Sequence, residues 1–145
     1  MFGSLEISTS ALIAQRVRMD VISGNLANTH TTRRLDGQPG PFRRHMVAFA
    51  TGNPGATAAR DSGGMGPGVH VAAVEEDPSP GRFVLDPSHP DAIKSGPMAG
   101  HVEYPNIDIA SEMVDAIEAS RAYEANITAI DVTKSMISTS LRLLA

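Results

Sequence analysis

Apolar residues recur at every third and fourth position over two stretches, one at each end of the chain. In the first, Leu5, Leu12, Met19, Ile22 and Leu26 share a stripe, with Met1 in phase and only Ser8 and Gln15 polar on it. This heptad-like seam predicts an amphipathic helix. Ser4 is placed to cap its start by accepting from a free backbone N–H, and Gly24, Asn25 and Asn28 weaken helix toward its end, so the helix is expected over about 4–28. In the second stretch Ile109, Met113, Ala116, Tyr123, Ile127, Ile130, Ile137, Leu141 and Leu144 form a longer stripe, broken by Ser120 and Lys134. Pro105 stops extension backward, Asp108 is the candidate N-cap, and Glu112 and Asp115 stand where the helix dipole favours anions. One helix over about 108–143 follows.

A compact domain of this length is about 40 Å across, whereas a helix of some 35 residues runs roughly 50 Å. The molecule is therefore expected to be elongated, its terminal helices returning antiparallel as a coiled-coil-like pair. The competing arrangement breaks each helix and packs the pieces in an ordinary globule. Between the helices the pattern changes to strand and turn. Residues 69–76 and 82–86 read as a hairpin across Asp77-Pro78-Ser79-Pro80-Gly81, and 45–50 and 101–104 as two further strands. The stretch 51–68, with Gly52, Gly55, Gly63, Gly64, Gly66 and Gly68, lacks periodicity and reads as a mobile loop. The expected class is α+β. Residues 1–35 and 106–145 form a helical core, and residues 36–105 a small β- and loop-rich module.

Composition sharpens this division. All ten Pro of the 145 residues lie between Pro39 and Pro105, as do ten of the thirteen Gly. The absence of Cys removes disulfides, thiolate metal sites and Cys nucleophiles. Apolar runs reach only about five residues where a membrane span needs roughly 20, and the first residues lack the basic and apolar regions of a cleavable secretory signal. Charge is uneven. Residues 1–45 hold six Arg against Glu6, Asp20 and Asp36, a balance of +3, while the remainder carries −7, giving −4 in all. Such asymmetry predicts attraction between the ends, with Arg16 and Arg18 facing Glu112, Asp115, Glu118 or Glu124.

Candidate chemistry is sparse. Gly64-Met65-Gly66-Pro67-Gly68 has the look of a phosphate-cradling loop, but such loops open a helix and this one precedes a strand. Asp86-Pro87-Ser88-His89-Pro90-Asp91 admits two readings: a small metal-dependent hydrolase centred on His89 and Asp91, or a rigid turn in which Asp86 and Asp91 bond nearby backbone N–H groups. Arg33, Arg34, Arg43 and Arg44 form a basic patch with Phe42 as the only aromatic nearby, which reads as a solvated or salt-bridging loop in preference to a nucleic-acid surface. No catalytic, cofactor or metal residue is assigned. Two amphipathic helices flanking a middle too rich in Gly and Pro to bury much remain, and they point to a structural subunit.

Particular residues extend that reading. Asn25-Leu26-Ala27-Asn28-Thr29-His30-Thr31, at the close of an apolar helix, resembles the Asn-x-Ala-Asn-x-x-Thr signature of bacterial flagellar rod and hook proteins, the likeness resting on Asn25, Ala27, Asn28 and Thr31. Glu112-Met113-Val114-Asp115, Ser120-Arg121-Ala122-Tyr123-Glu124-Ala125-Asn126 and Thr133-Lys134-Ser135-Met136 resemble the matching C-terminal signature. Gly68-Val69-His70-Val71, Glu76-Asp77-Pro78-Ser79-Pro80 and Asp86-Pro87-Ser88-His89-Pro90-Asp91-Ala92 are similar to the proximal rod members of that family. The resemblance implies a subunit of the hollow basal-body rod that crosses the periplasm and passes torque from motor to hook, exported unfolded by the flagellar type III apparatus without a cleavable signal. It implies terminal helices in the inner tube wall and the middle module outside. Its partners would be copies of itself, the other rod proteins and the adaptor between rod and export gate, with no nucleic acid and no membrane insertion. Leu5, Leu12, Met19, Ile22 and Leu26 would then pack with Met113, Tyr123, Ile127, Ile130, Ile137 and Leu141 of the same chain or of neighbours.

Overall fold

The computed structural model describes residues 2–34, 40–53 and 66–144. A helix α1 (Phe2–Ala27) leads into strands β1 (His45–Asn53) and β2 (Gly66–Glu76), then β3 (Arg82–Leu85) and β4 (His101–Tyr104), and the chain closes on helix α2 (Ile109–Leu144). The class is α+β: two long helices around two small antiparallel sheets, β1 with β2 and β3 with β4. Helix α2 has 36 residues against 26 in α1, so it runs about 54 Å against about 39 Å.

Both helix ends follow from local chemistry. Asp108 caps α2, its carboxylate accepting the Ala110 N–H at 3.1 Å and the Ser111 hydroxyl at 2.9 Å. α1 ends without a left-handed residue. Instead Asn28 and Thr29 turn back on it: the Asn28 amide donates to the Gly24 carbonyl at 2.9 Å and the Thr29 hydroxyl to the Leu26 carbonyl at 2.8 Å, satisfying acceptors the helix cannot pair internally. Ser4 is not the cap expected of it, because α1 already begins at Phe2 and Ser4 lies within its first turn.

The strands correct two further expectations. Residues 69–76 and 82–86 do not form one hairpin; β2 pairs with β1 and β3 with β4. Pro78 and Pro80 have no N–H to give a ladder, and the Asp77 carboxylate accepts the Ser79 N–H at 2.8 Å, turning the chain away. The stretch 51–68 is also not loop throughout. Thr51–Asn53 continue β1 and Gly66–Gly68 open β2, with shifts in the ladder after Ala48 and after Thr51. The rest of that stretch, 54–65, lies outside the described residues.

α1 is the centre of the molecule, packing against α2 and against both strands of the first sheet. Arg18 meets Asp115 and Asn25 meets Glu112, so residue numbers fall along α1 as they rise along α2 and the helices run antiparallel. Levelling Asn25 with Glu112 brings Phe2 opposite about residue 135, which leaves the last two to three turns of α2 beyond the end of α1. The buried aliphatic side chains among the described residues are few: Ala14, Ile22, Val102 and Ala119, with Pro41 and Pro105.

Candidate functional site

Where α1 ends, β1 begins and α2 begins, one polar cluster ties the three together. The Asn25 side chain reads the backbone of His45 as a strand partner would, its Oδ1 accepting the His45 N–H and its Nδ2 donating to the His45 carbonyl, both at 2.9 Å. The second Nδ2 hydrogen goes to Glu112 Oε2 at 3.1 Å. Glu112, only 1% exposed, receives Arg44 Nε on Oε1 at 2.6 Å. Arg44 also reaches Asp115 at 3.4 Å, and Asp115 accepts Arg18 at 3.1 Å, with Glu118 at 3.7 Å from the same guanidinium. A buried carboxylate is tolerable only when charge and both oxygens are answered, as they are here.

A second pin holds the far end of the first sheet. The Ser10 hydroxyl donates to the Ile7 carbonyl at 2.7 Å and accepts the Val69 N–H at 3.1 Å. Gly68 makes this approach possible: its φ is +132°, and a Cβ there would stand 2.5 Å from Ser10 Oγ. A third contact fastens the segment after α1. Asp91 accepts the Thr32 hydroxyl at 2.8 Å and Arg33 Nε, and the Thr32 bond followed by that of Arg33 holds the Asp91 carboxyl below its usual pKa.

The His89 turn is thereby spent on structure. His89 Nδ1 accepts the Asp91 N–H at 3.1 Å, both Asp91 oxygens are engaged, and Asp86 accepts the Ser88 N–H at 3.1 Å. Asp86 binds a backbone N–H as the turn reading expects, while Asp91 binds side chains from the motif segment. The basic patch is likewise absorbed internally: Arg33 on Asp91, Arg34 on Glu76, Arg43 on the Ser79 carbonyl and Arg44 on Glu112. Sequence reasoning did not single out the roles of Arg44, Ser10 and Thr32. The available signal for Arg44 was the neighbouring charge imbalance, and for Ser10 the Gly68 that leaves it room.

The structure distributes the other named residues as follows. Ile22 is buried, while Leu5, Leu12, Met19 and Leu26 on α1 and Tyr123, Ile130 and Ile137 on α2 are half-buried. Met113, Ile127 and Leu141 are exposed. The α2 face turned toward α1 runs through Glu112, Ala116, Ala119, Tyr123 and Ile130, so one edge of the apolar stripe lies in it while Met113, Ile127 and Leu141 lie outside. Arg18 engages Asp115 and Glu118, Arg16 is exposed, and Glu112 engages Arg44 and Asn25. Asn28 accepts the Thr31 hydroxyl at 3.0 Å, inside the same closing turn as Ala27.

Two family profiles coincide with this architecture. One, described as Flagella basal body rod protein, matches residues 5–33, which hold α1 and its closing motif. The other, described as Flagellar basal body rod FlgEFG protein C-terminal, matches residues 98–143, which hold β4 and α2. These place the fold in the class of flagellar rod proteins. Full-length relatives narrow it. The chain is 47% identical over 150 residues to the flagellar basal-body rod protein FlgC of Borreliella burgdorferi, covering 99% of this chain and 97% of the relative. It is 43% identical to FlgC of Bacillus subtilis, covering 98% and 97%, and 38% identical to that of Salmonella typhimurium, covering 99% and 97%. The chain belongs to the FlgC family of flagellar basal-body rod proteins. It is a structural rod subunit and not an enzyme.

Proposed function

We propose that the chain polymerises through its terminal helices into a section of the hollow, proximal rod that passes torque from motor to hook. The observation that supports this reading most directly is the side of α2 turned away from α1. Val114, Val132, Met136 and Leu143 fall on one line there at intervals of 18, 4 and 7 residues, which are whole turns, and all are exposed. A monomer in water gains nothing from such a line; a neighbouring helix covering it would bury each side chain for about 1.5–3 kcal/mol. Helices from residues 1–35 and 106–145 would make the tube wall, with 36–105 as the outer layer. The packing set runs from Leu5, Leu12, Met19, Ile22 and Leu26 to Met113, Tyr123, Ile127, Ile130, Ile137 and Leu141.

In this reading the partners are copies of the chain, the other rod proteins, the adaptor between rod and export gate, and the type III apparatus that delivers it across the inner membrane. The rod then crosses the periplasm. No described helix is long and apolar enough to span a membrane, which accords with a subunit held by protein contacts. Met136→Glu tests the proposal. The purified variant should keep the parental helix content, while cells carrying it should lose motility and yield basal bodies without a completed rod. Normal swimming with normal rods would overturn the reading.

A further inference from the structure

The seam between α1 and α2 is poor in the features that fix one alignment of two helices. The positions of α2 turned toward α1 repeat every seven residues, Ala116, Tyr123 and Ile130 along one line and Ala119, Asn126 and Thr133 beside it, so a shift of one heptad would again set small or apolar side chains against α1. Glu112 is the exception. It is the largest fully buried side chain among the described residues, and its two oxygens face two different elements.

The donor and acceptor pattern around it leaves little choice of residue. The Asn25 amide cannot be turned over, because His45 offers it an N–H on one side and a carbonyl on the other, and only one orientation answers both. Its remaining hydrogen must therefore point at position 112. Arg44, a donor with nothing to accept, points at the other oxygen. Position 112 is required to accept twice. A glutamine there, though equal in shape, always turns its NH2 group toward one donor or the other. A slip of one heptad would bring Ala119 to this level and a slip of one turn Ile109 or Ala116, none of which accepts a hydrogen bond through its side chain, or else Asp108 or Asp115, whose carboxylates are one methylene shorter and already serve as the helix cap and the partner of Arg18.

We infer that Glu112 is the positioning residue that sets the register of α2 against α1 and, through Asn25 and Arg44, the seating of the first sheet on the helix pair. Its work is done by a double-acceptor code and not by packing. The apolar part of the seam supplies attraction, the half-exposed Arg18–Asp115 pair adds to the alignment, and Glu112 is the buried contact that fixes it. The inference concerns the folded subunit alone and stands or falls independently of how subunits assemble.

A double-mutant cycle in the full chain tests it. In E112Q a donor meets a donor; in N25D the introduced carboxylate meets Glu112 and the His45 carbonyl. In the combined N25D/E112Q the introduced glutamine can donate through its NH2 group to the carboxylate now at position 25 while its oxygen accepts Arg44. The link between the two positions is then restored with its polarity reversed. The absence of Cys permits clean spin labelling at exposed Ala48→Cys and Ser120→Cys. The parent should give one narrow label-to-label distance, each single variant a broadened or split distribution, and the double variant a distribution narrower than either single. Urea midpoints should follow the same order, with the double variant above what the two single losses add to. This readout remains decisive if one single variant loses its helices, since the double must then recover them. A parental distance distribution in E112Q, or a double variant no better than the worse single, would overturn the assignment.

Discussion

The two ends of α2 are built on opposite principles. At its start, Asp108 caps the helix and Glu112 and Asp115 are engaged by Asn25, Arg44 and Arg18. At its end, Met136, Leu141 and Leu143 are 63%, 62% and 83% exposed, on turns that run past the end of α1. The first region is satisfied by the chain itself and so carries the subunit's stability. The second carries apolar surface with no described element of this chain across it. For a rod subunit this separates what must be specified before assembly from what assembly completes.

Substitutions at the two ends should therefore differ sharply. Arg44→Ala leaves Glu112 buried without its counter-charge and should cost about 3–5 kcal/mol, read as the urea midpoint of the full chain. A cost below about 1 kcal/mol would mean that water reaches Glu112 and that the start of α2 is held more loosely than its geometry suggests. Gly68→Ala forces a left-handed φ and drives a methyl against Ser10, with an expected loss of about 1–3 kcal/mol in thermal unfolding. If Ser10→Ala then relieved part of that loss, the clash and not the backbone would be its source. The effect of pH is smaller. Thr32 and Arg33 lower the folded-state pKa of Asp91, so its contribution is present above the unfolded value of about 4 and is lost as pH falls through the folded one. Asp91→Asn should flatten the acid limb of the stability curve below about pH 4 while changing little near pH 7; an unchanged acid limb would mean that the contacts of Asp91 with Thr32 and Arg33 do not stabilise the fold. Least for the isolated chain is Met136→Glu, at under about 0.5 kcal/mol, although its consequence for the rod should be total.

Much of the architecture was readable from the sequence, and the exceptions share a cause. The strand at 101–104 and the Asp108 cap emerged in place because a short alternating run before Pro105 and a carboxylate at a helix start have few other uses. The helices were legible to within two residues. The strand ends at 51–53 and 66–68 were not, because Gly52 and Gly68 read as loop formers while their positive φ values accommodate ladder irregularities. The offset of the helix seam was hidden for a different reason. Hydropathy marks the bulky stripe through Met113, Ile127 and Leu141, but close approach of two helices selects small side chains such as Ala119 and leaves bulk to the flanks. The role of Asn25 was invisible in one dimension, since its partners lie 20 and 87 positions away.

The two pins that hold the first sheet also act as a gauge. From Asn25 to Ser10 the helix climbs about 22 Å, and from His45 to Thr51, the partner of Val69, the strand covers about 20 Å. These lengths agree to within less than one strand residue, so the first sheet is cut to fit α1. Adding or removing one residue between His45 and Thr51 would slide the strand by about 3.3 Å and turn its side chains to the other face. Changes in length that leave the Thr51–Asn53 and Gly66–Val69 pairing and Gly68 in place lie outside the gauged span and leave both pins seated. Evolutionary variation in the length of this protein should accordingly accumulate beyond the second pin, with the distance between the pins held constant.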